Sequence, residues 1–216
     1  MKKLNVCILF GGMSPEHAVS LRSAESVLNN LNPEKYNVIP VGITRDGRWF
    51  CYGGSDYSQL PGGAWEDHPD NCLVAISPVR GQGLRRFEAE GVTEIPLDVV
   101  FPVLHGENGE DGAIQGLLQL AGIPCVGPDV ASSAVCMDKT LTKLVVDHIG
   151  QPQAAWVLVR RGELHHRMEA ILAQLQEKFS FPMFVKPAGT GSSVGVSKAG
   201  DAVTLQAALL AAAEYD

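Results

Sequence analysis

The chain has 216 residues, with 17 basic and 24 acidic side chains and a formal net charge of −7. Hydrophobic residues make up 45% and charged residues 19%, which excludes a disordered chain and is enough to build a core. The acidic balance also argues against a nucleic-acid partner, because a phosphate backbone selects basic surfaces.

Residues Leu4 to Phe10 (LNVCILF) read as a buried strand closed by Gly11-Gly12. Ser14 reads as an N-cap with Pro15 at the first helical position, and Ala24, Val27, Leu28 and Leu31 fall on one helical stripe. Tyr36 to Thr44 is a second strand, so the chain opens β-α-β, which implies parallel pairing. Asp46-Gly47 is a hairpin turn signal leading into Arg48 to Tyr52. Residues Gly53 to Pro69, rich in Gly, Pro, Ser and Asp, read as a surface excursion. Leu73 to Ile76 and Leu84 to Phe87 read as a hairpin, and Leu97 to Leu104 as a buried strand ending at His105-Gly106. The polar loop Glu107 to Asp111 precedes a helix with Ile114, Leu117, Leu118 and Ala121 on one face, and Ile123 to Val126 is the next strand.

The pattern changes near Gly127 to Asp129, where a domain boundary is expected. Asp129 reads as the cap of a short helix through Cys136, and Lys139 to Ile149 as a second helix closed by Gly150. Ala154 to Val159 reads as a strand, Glu163 to Lys178 as a helix, Pro182 to Lys186 and Val194 to Lys198 as strands, and Asp201 as the cap of a last helix. Two or three strands are few for a sheet, so the second unit is expected to continue beyond Asp216. The early apolar run, Val6 to Phe10, is too short to span a bilayer and lacks a cleavage site, so neither a membrane anchor nor a signal peptide is expected. The five cysteines are odd in number, scattered and without a Cys-x-x-Cys pair, which disfavours a disulfide framework and a zinc site and suits the reducing cytoplasm.

Three stretches carry chemistry. Gly189 to Gly195 (GTGSSVG) brings backbone N–H groups and hydroxyls together, as a phosphate requires, with Lys186 just upstream. It is neither a Walker loop nor the dinucleotide fingerprint, and on composition alone it reads first as a flexible hairpin tip with a solvated lysine. Phe10 to His17 (FGGMSPEH) lies at the C-terminal end of the first strand, where open α/β sheets bind ligands. Glu16 there suits a substrate ammonium or simply the helix dipole, and His17, with no evident partner, reads as a surface residue. In His105 to Gly112 (HGENGEDG) the carboxylates suit a divalent cation or plain cap chemistry. His165 and His166 are adjacent on a helix, so they point apart and make a poor metal pair. The three tryptophans are dispersed and read as packing residues rather than a stacking platform.

Four blocks occur together: FGGxSxEHxVSxxSA from Phe10 to Ala24, FPVLHGxxGEDGxxQG from Phe101 to Gly116, Cys136-Met-Asp-Lys139, and FVKPAxxGSSVGVSK from Phe184 to Lys198. In this order they resemble the D-alanine–D-alanine ligases of the ATP-grasp superfamily, with Pro40 to Trp49 also similar to the vancomycin-resistance ligases that make D-Ala–D-Ser. The resemblance implies an α/β fold: a Rossmann-like N-terminal domain, residues 1–128, followed by an incomplete α+β ATP-grasp central subdomain, residues 129–216. It implies ATP-dependent joining of two D-alanines through an acyl phosphate, for peptidoglycan precursors, by a cytoplasmic homodimer that uses ATP and Mg²⁺ or Mn²⁺. Glu16 then orients the ammonium of the first D-alanine, Ser192 hydrogen-bonds that glutamate, and His105 stands beside the same substrate. Lys139 and Lys186 would bind the ATP phosphates, under a loop containing Gly191, Ser192 and Ser193. Thr190 stands where many members carry Glu or Gln. The family's metal ligands, its intermediate-binding arginine and its second-substrate loop are expected after Asp216, so no metal ligand is assigned here and residues 1–216 alone are expected to be inactive. The alternatives are a ligase taking D-serine or D-lactate second, and a non-catalytic ATP-grasp remnant. The joint presence of Glu16, Lys139, Lys186 and Ser192 speaks against the remnant.

Overall fold

The structure, a computed structural model, describes residues 2–216. The chain forms two compact units, the first ending at Ala134 and the second running Val135–Asp216.

The first unit is built on β1 (Leu4–Gly11), α1 (His17–Asn30), β2 (Tyr36–Ile43), β3 (Trp49–Cys51), β4 (Cys72–Ile76), β5 (Leu84–Glu88), β6 (Gly91–Ile95), β7 (Val99–Pro102) and α2 (Ala113–Ala121). The strands form one seven-stranded sheet in the order β6-β5-β4-β3-β2-β1-β7. β1 lies between β2 and β7 and is parallel to both, which is the expected β-α-β opening. From β2 outward the pairing is antiparallel, so the sheet is mixed: a short parallel core extended by a meander. From Val6 to Phe10 β1 is apolar at every position, because both its faces are covered there. Cys7 and Leu9 join one cluster with Ile114, Leu118 and Ala121 of α2. Val6, Ile8 and Phe10 join another with Leu21, Ala24 and Leu28 of α1.

Three expectations change here. The excursion after β3 contains single 3-10 turns at Tyr57–Gln59 and Ala64–Asp67, and Leu60 and Trp65 within it are fully buried. The Trp65 ring stands edge-on to Phe10 at 5.1 Å, and it leaves no room for a Cβ at Gly42. Two apolar anchors in a polar stretch were enough to make it part of the core. α1 starts at His17, not Pro15, and its N-cap is Glu16 rather than Ser14. Residues 123–126 make one isolated parallel bridge, Val100 to Cys125, rather than a full strand. β6 was not foreseen, since it is a short and mostly exposed edge with little apolar pattern.

The second unit carries α4 (Lys139–His148), α5 (Arg161–Lys178), β8 (Met183–Val185), β9 (Ser197–Ala199) and α6 (Ala202–Ala212); the division between the units falls within α3 (Val130–Met137). β8 and β9 pair antiparallel, and Leu164, Ile171, Leu175, Met183, Leu205 and Leu209 pack around them. Aspartates begin three helices: Asp129 Oδ1 accepts the Ser132 N–H, Asp138 Oδ1 accepts from Thr140 and Leu141, and Asp201 forms a reciprocal capping box with Thr204. The expected strand at 154–159 pairs with nothing among the described residues; Val157 and Val159 pack against the core without a ladder partner. β9 begins at Ser197 rather than Val194, because Ser192, Ser193 and Gly195 all have positive φ, which no strand accommodates.

Among the described residues no helix is long and apolar enough to cross a membrane.

Candidate functional site

In the first unit the site gathers at the C-terminal ends of β1 and β7. Gly11 has φ 85°, and a Cβ there would collide with the Ile43 carbonyl, so the turn out of β1 requires glycine. The turn delivers Ser14 and Glu16 to the start of α1. Ser20, one turn into the helix and fully buried, accepts the Gly11 N–H at 2.8 Å and donates to the Val103 carbonyl. This pins the helix start to both strand ends.

Glu16 is 9% exposed and its carboxylate lies against Gly106, which has φ 73°; a Cβ at that position would run into Glu16 Oε2. Ser14 links the two loops: its hydroxyl accepts the Glu16 N–H at 3.1 Å and donates to the His105 carbonyl at 2.7 Å. The His105 ring is held from both sides, with Nε2 3.1 Å from the Ser23 hydroxyl and Nδ1 3.8 Å from Glu110 Oε1. The other Glu110 oxygen accepts the Gly106 N–H at 2.8 Å. Glu16 and His105, both expected from the sequence, are thus brought to one place. The expectation of a surface His17 is corrected: His17 is 3% exposed, its Nδ1 lies 2.6 Å from the Gly12 carbonyl and its Nε2 3.9 Å from Glu66. It braces the turn.

The acidic loop serves its own backbone. Asp111 accepts the N–H groups of Asn108 and Ala113, at 2.7 and 3.0 Å, and Glu110 accepts from Gly106. Among the described residues no group of three or more His, Cys, Asp or Glu side chains is assembled as a metal site.

In the second unit the candidate phosphate site forms where α4 begins. The Lys139 N–H donates to the Ala188 carbonyl at 3.1 Å, and its ammonium donates to the carbonyls of Ala188 and Thr190. The helix start is thereby stitched to the loop after β8. Burial lowers the Lys139 pKa, and the nearby Lys186 ammonium lowers it further. The two cations therefore share one local field. Ser192 and Ser193 have φ 46° and 61°, uncommon for non-glycine residues, so the loop is held in a strained turn. Gly189 donates its N–H to Asp216 at 2.6 Å. Two ammonium groups beside a loop of glycines and hydroxyls fit a polyphosphate by the chemistry of their donors.

Ser14 reads from the sequence only as a cap and Glu110 only as one of the acidic loop's carboxylates, and Ser23 is not singled out. A readable signal existed for one of them. Glu16, Ser20 and Ser23 follow at i, i+4 and i+7, a polar stripe on the inward side of an otherwise amphipathic helix.

A family model described as the D-ala D-ala ligase N-terminus matches residues 5–128, and one described as the D-ala D-ala ligase C-terminus matches residues 145–216. A D-alanine–D-alanine ligase of Caldicellulosiruptor bescii is 45% identical over the whole chain, which covers 58% of that protein; one of Clostridium acetobutylicum is 46% identical, with 59% covered. The chain thus spans somewhat under two thirds of the length of these relatives. Among solved structures, the VanG D-Ala:D-Ser ligase of Enterococcus faecalis superposes with TM-score 0.87 at 39% identity, covering all of this chain and 61% of that one. The D-alanine–D-alanine ligase of Coxiella burnetii superposes with TM-score 0.83 at 31% identity, covering 99% of this chain and 61% of that one.

Proposed function

This chain belongs to the D-alanine–D-alanine ligase family, and we propose that the protein carrying it joins two D-alanines at the expense of ATP, supplying a peptidoglycan precursor. The observation that carries this reading is the buried Glu16 carboxylate at the start of α1, beside a His105 ring held by Ser23 and Glu110. A carboxylate at a helix start, screened from water, suits the ammonium of a small amino acid. Placement there leaves the amino acid's own carboxylate as the nucleophile toward the ATP γ-phosphate. Attack gives an acyl phosphate, and the amine of the second amino acid displaces phosphate from that carbonyl.

The chain's own contribution is positioning and charge. Glu16 binds the first ammonium. His105 sits beside that substrate, its ring orientation set by Ser23 and Glu110. Lys139 and Lys186 neutralise phosphate charge, and the loop with Gly191, Ser192 and Ser193 supplies N–H and hydroxyl donors. Mg²⁺ or Mn²⁺ would supply further neutralisation of phosphate oxygens. The described residues do not assemble a site for it, so no step is assigned to the metal. Residues 1–128 as the first-substrate domain and 129–216 as part of the nucleotide domain belong to the same reading, as do a homodimer and a cytoplasmic location.

A second reading, with D-serine as second substrate, is supported by the likeness to the VanG enzyme. The relatives bearing the D-alanine name support the first. The test is product analysis with the whole protein, ATP and Mg²⁺, offered D-alanine alone and then with D-serine. D-Ala–D-Ala formed from D-alanine alone, with phosphate released in step, is the expected result. Product containing serine in preference would select the second reading, and no D-alanine-dependent phosphate release would overturn both.

A further inference from the structure

Four of the five cysteines lie toward one face of the first unit's sheet, and two of them are directly opposed. Cys51 on β3 is the register partner of Cys72 on β4 in an antiparallel pair. On its other side Cys51 is the register partner of Val41 on β2, and it packs against the cluster that contains Val41 and Cys7. Cys72 precedes Val74 by two residues, and Val74 belongs to the same cluster, so both thiols are on that face. All five cysteines are free thiols.

A cation stands on the same face. Arg86 on β5 is the register partner of Val74, which places its side chain diagonally beside Cys72. Its guanidinium is pushed above its ordinary range, chiefly by a hydrogen bond to Cys72, and it also interacts with Cys51. Among the described residues Arg86 Nε makes no hydrogen bond, and Glu88 Oε1 lies 3.3 Å from it as an ion-pair neighbour. The Cys72 thiol itself rests 3.1 Å from the Phe87 carbonyl. Both Cys51 and Cys72 are half-buried, hence reachable by a small solute, whereas Cys7 is fully enclosed.

We propose that Cys51 and Cys72 are a peroxide-oxidisable dithiol that closes to a disulfide across β3 and β4. Directly opposed residues hold their Cβ atoms about 4.5–5.5 Å apart. A disulfide needs about 3.5–4.5 Å, so closure asks for an inward movement of about one ångström. The first attack is assigned to Cys72, the first residue of β4, beside which the Arg86 side chain stands diagonally. Its thiolate attacks one oxygen of hydrogen peroxide. The S–O bond forms, the O–O bond breaks, and the departing hydroxide takes the proton released when the thiol ionised and leaves as water. Cys72 is then a sulfenic acid, oxidised by two electrons that the peroxide has gained. The Cys51 thiol loses its proton and attacks the Cys72 sulfur; the S–S bond forms, the S–O bond breaks, and the hydroxide leaves as a second water. A dithiol reductant reverses the change.

This inference is independent of the ligase reading. The test treats the whole protein with stoichiometric hydrogen peroxide and maps non-reduced peptides by mass spectrometry. The expected result is a cross-linked pair containing Cys51 and Cys72, two fewer titratable thiols and full recovery with dithiothreitol. In C51S a dimedone adduct should appear on Cys72, and in C72S both the adduct and the cross-link should be lost. R86M should slow loss of the Cys72 thiol while leaving oxidation of the exposed Cys136 unchanged. Peroxide-treated wild-type protein in which Cys51 and Cys72 remain fully alkylatable while Cys136 is oxidised would overturn the proposal, with no variant needed.

Discussion

The Ser23 hydroxyl lies 3.1 Å from Nε2 of His105, a residue 82 positions further along the chain. The contact couples the inner face of α1 to the loop after β7. Ser23→Ala should therefore release the ring on one side. Loss of a part-buried hydrogen bond of this kind costs about 1 kcal/mol. Two readouts separate the roles: denaturant unfolding reports the stability loss, and nitrogen NMR of the imidazole reports a changed tautomer balance. In the proposed ligase the Michaelis constant for the first D-alanine should rise several-fold, and Ser23→Thr should restore it in part. An unmoved His105 spectrum in Ser23→Ala would refute the coupling.

Glu16→Gln removes the carboxylate charge while keeping its volume. The proposed ammonium contact is charge-assisted, so its loss should be severe, on the order of a hundredfold in kcat/KM. Binding of ATP, measured separately, should be little affected. Steady-state kinetics varying D-alanine at saturating ATP would check this, and an unchanged kcat/KM for D-alanine would refute the role of Glu16.

Lys139 carries a pH signature. Burial and the Lys186 charge set its folded pKa below the ordinary 10.5, so between the two values the unfolded chain holds a proton that the folded chain has released. Stability contributed at this site therefore rises as pH climbs through that window, and below it the cost of the buried charge is fully present. Lys186→Ala removes the repulsion and should narrow the window from below. A bound polyphosphate should raise the Lys139 value again, so ATP binding in alkaline buffer should take up protons. Calorimetry in two buffers of different ionisation enthalpy measures this, and identical apparent enthalpies would sink it. Lys186→Ala should also raise the Michaelis constant for ATP and lower turnover.

Asp201 titrates in the opposite direction. The Thr204 N–H and hydroxyl hold its carboxyl below the ordinary 3.8. Its contribution is therefore present above the ordinary value and lost as pH falls through the lowered one. Asp201→Ala should lower the melting temperature at neutral pH. Asp201→Asn, a good N-cap without the charge, should recover much of that loss and weaken the acid dependence. Thermal unfolding of the three proteins across the acid range is the measurement, and parallel curves for wild type and Asp201→Asn would count against the assignment.

Leu118 and Leu120 test the packing of α2. Leu118 is fully buried in the cluster with Cys7 and Leu9, whereas Leu120 is 69% exposed. Leu118→Ala should cost about 3 kcal/mol, and Leu120→Ala within about 0.5 kcal/mol of zero. Equal midpoints in urea would contradict the placement.

Much of this chain was legible before any coordinates. The run from Leu4 to Phe10, apolar at every position but Asn5, announced a strand buried on both faces, and its ending in Gly11-Gly12 placed a site at its C-terminal end. Asp129 and Asp201 announced helix starts, because a short carboxylate side chain can take the first N–H groups wherever it occurs. Glu16, His105, Lys139, Lys186 and the loop after β8 stood out by residue type and order. Local signals of this kind act over a few residues, and a linear reading captures them.

What tertiary structure decided were the pairings between distant residues. Trp65 became core because Gly42 leaves room for its ring, a fact written 23 positions away. Ser14 looked like a cap, yet its hydroxyl ties the Glu16 N–H to the His105 carbonyl, since the β7 loop arrives beside it. His17 was buried against Gly12 and Glu66, the second of these on the excursion after β3. Residues 154–159 carry a strand's apolar residues but no ladder, because pairing needs a neighbouring edge and none is presented to them among the described residues. Residue type and local pattern told which groups were available. Which groups meet depends on loop closure and strand register, and these are settled only when the separated segments pack together.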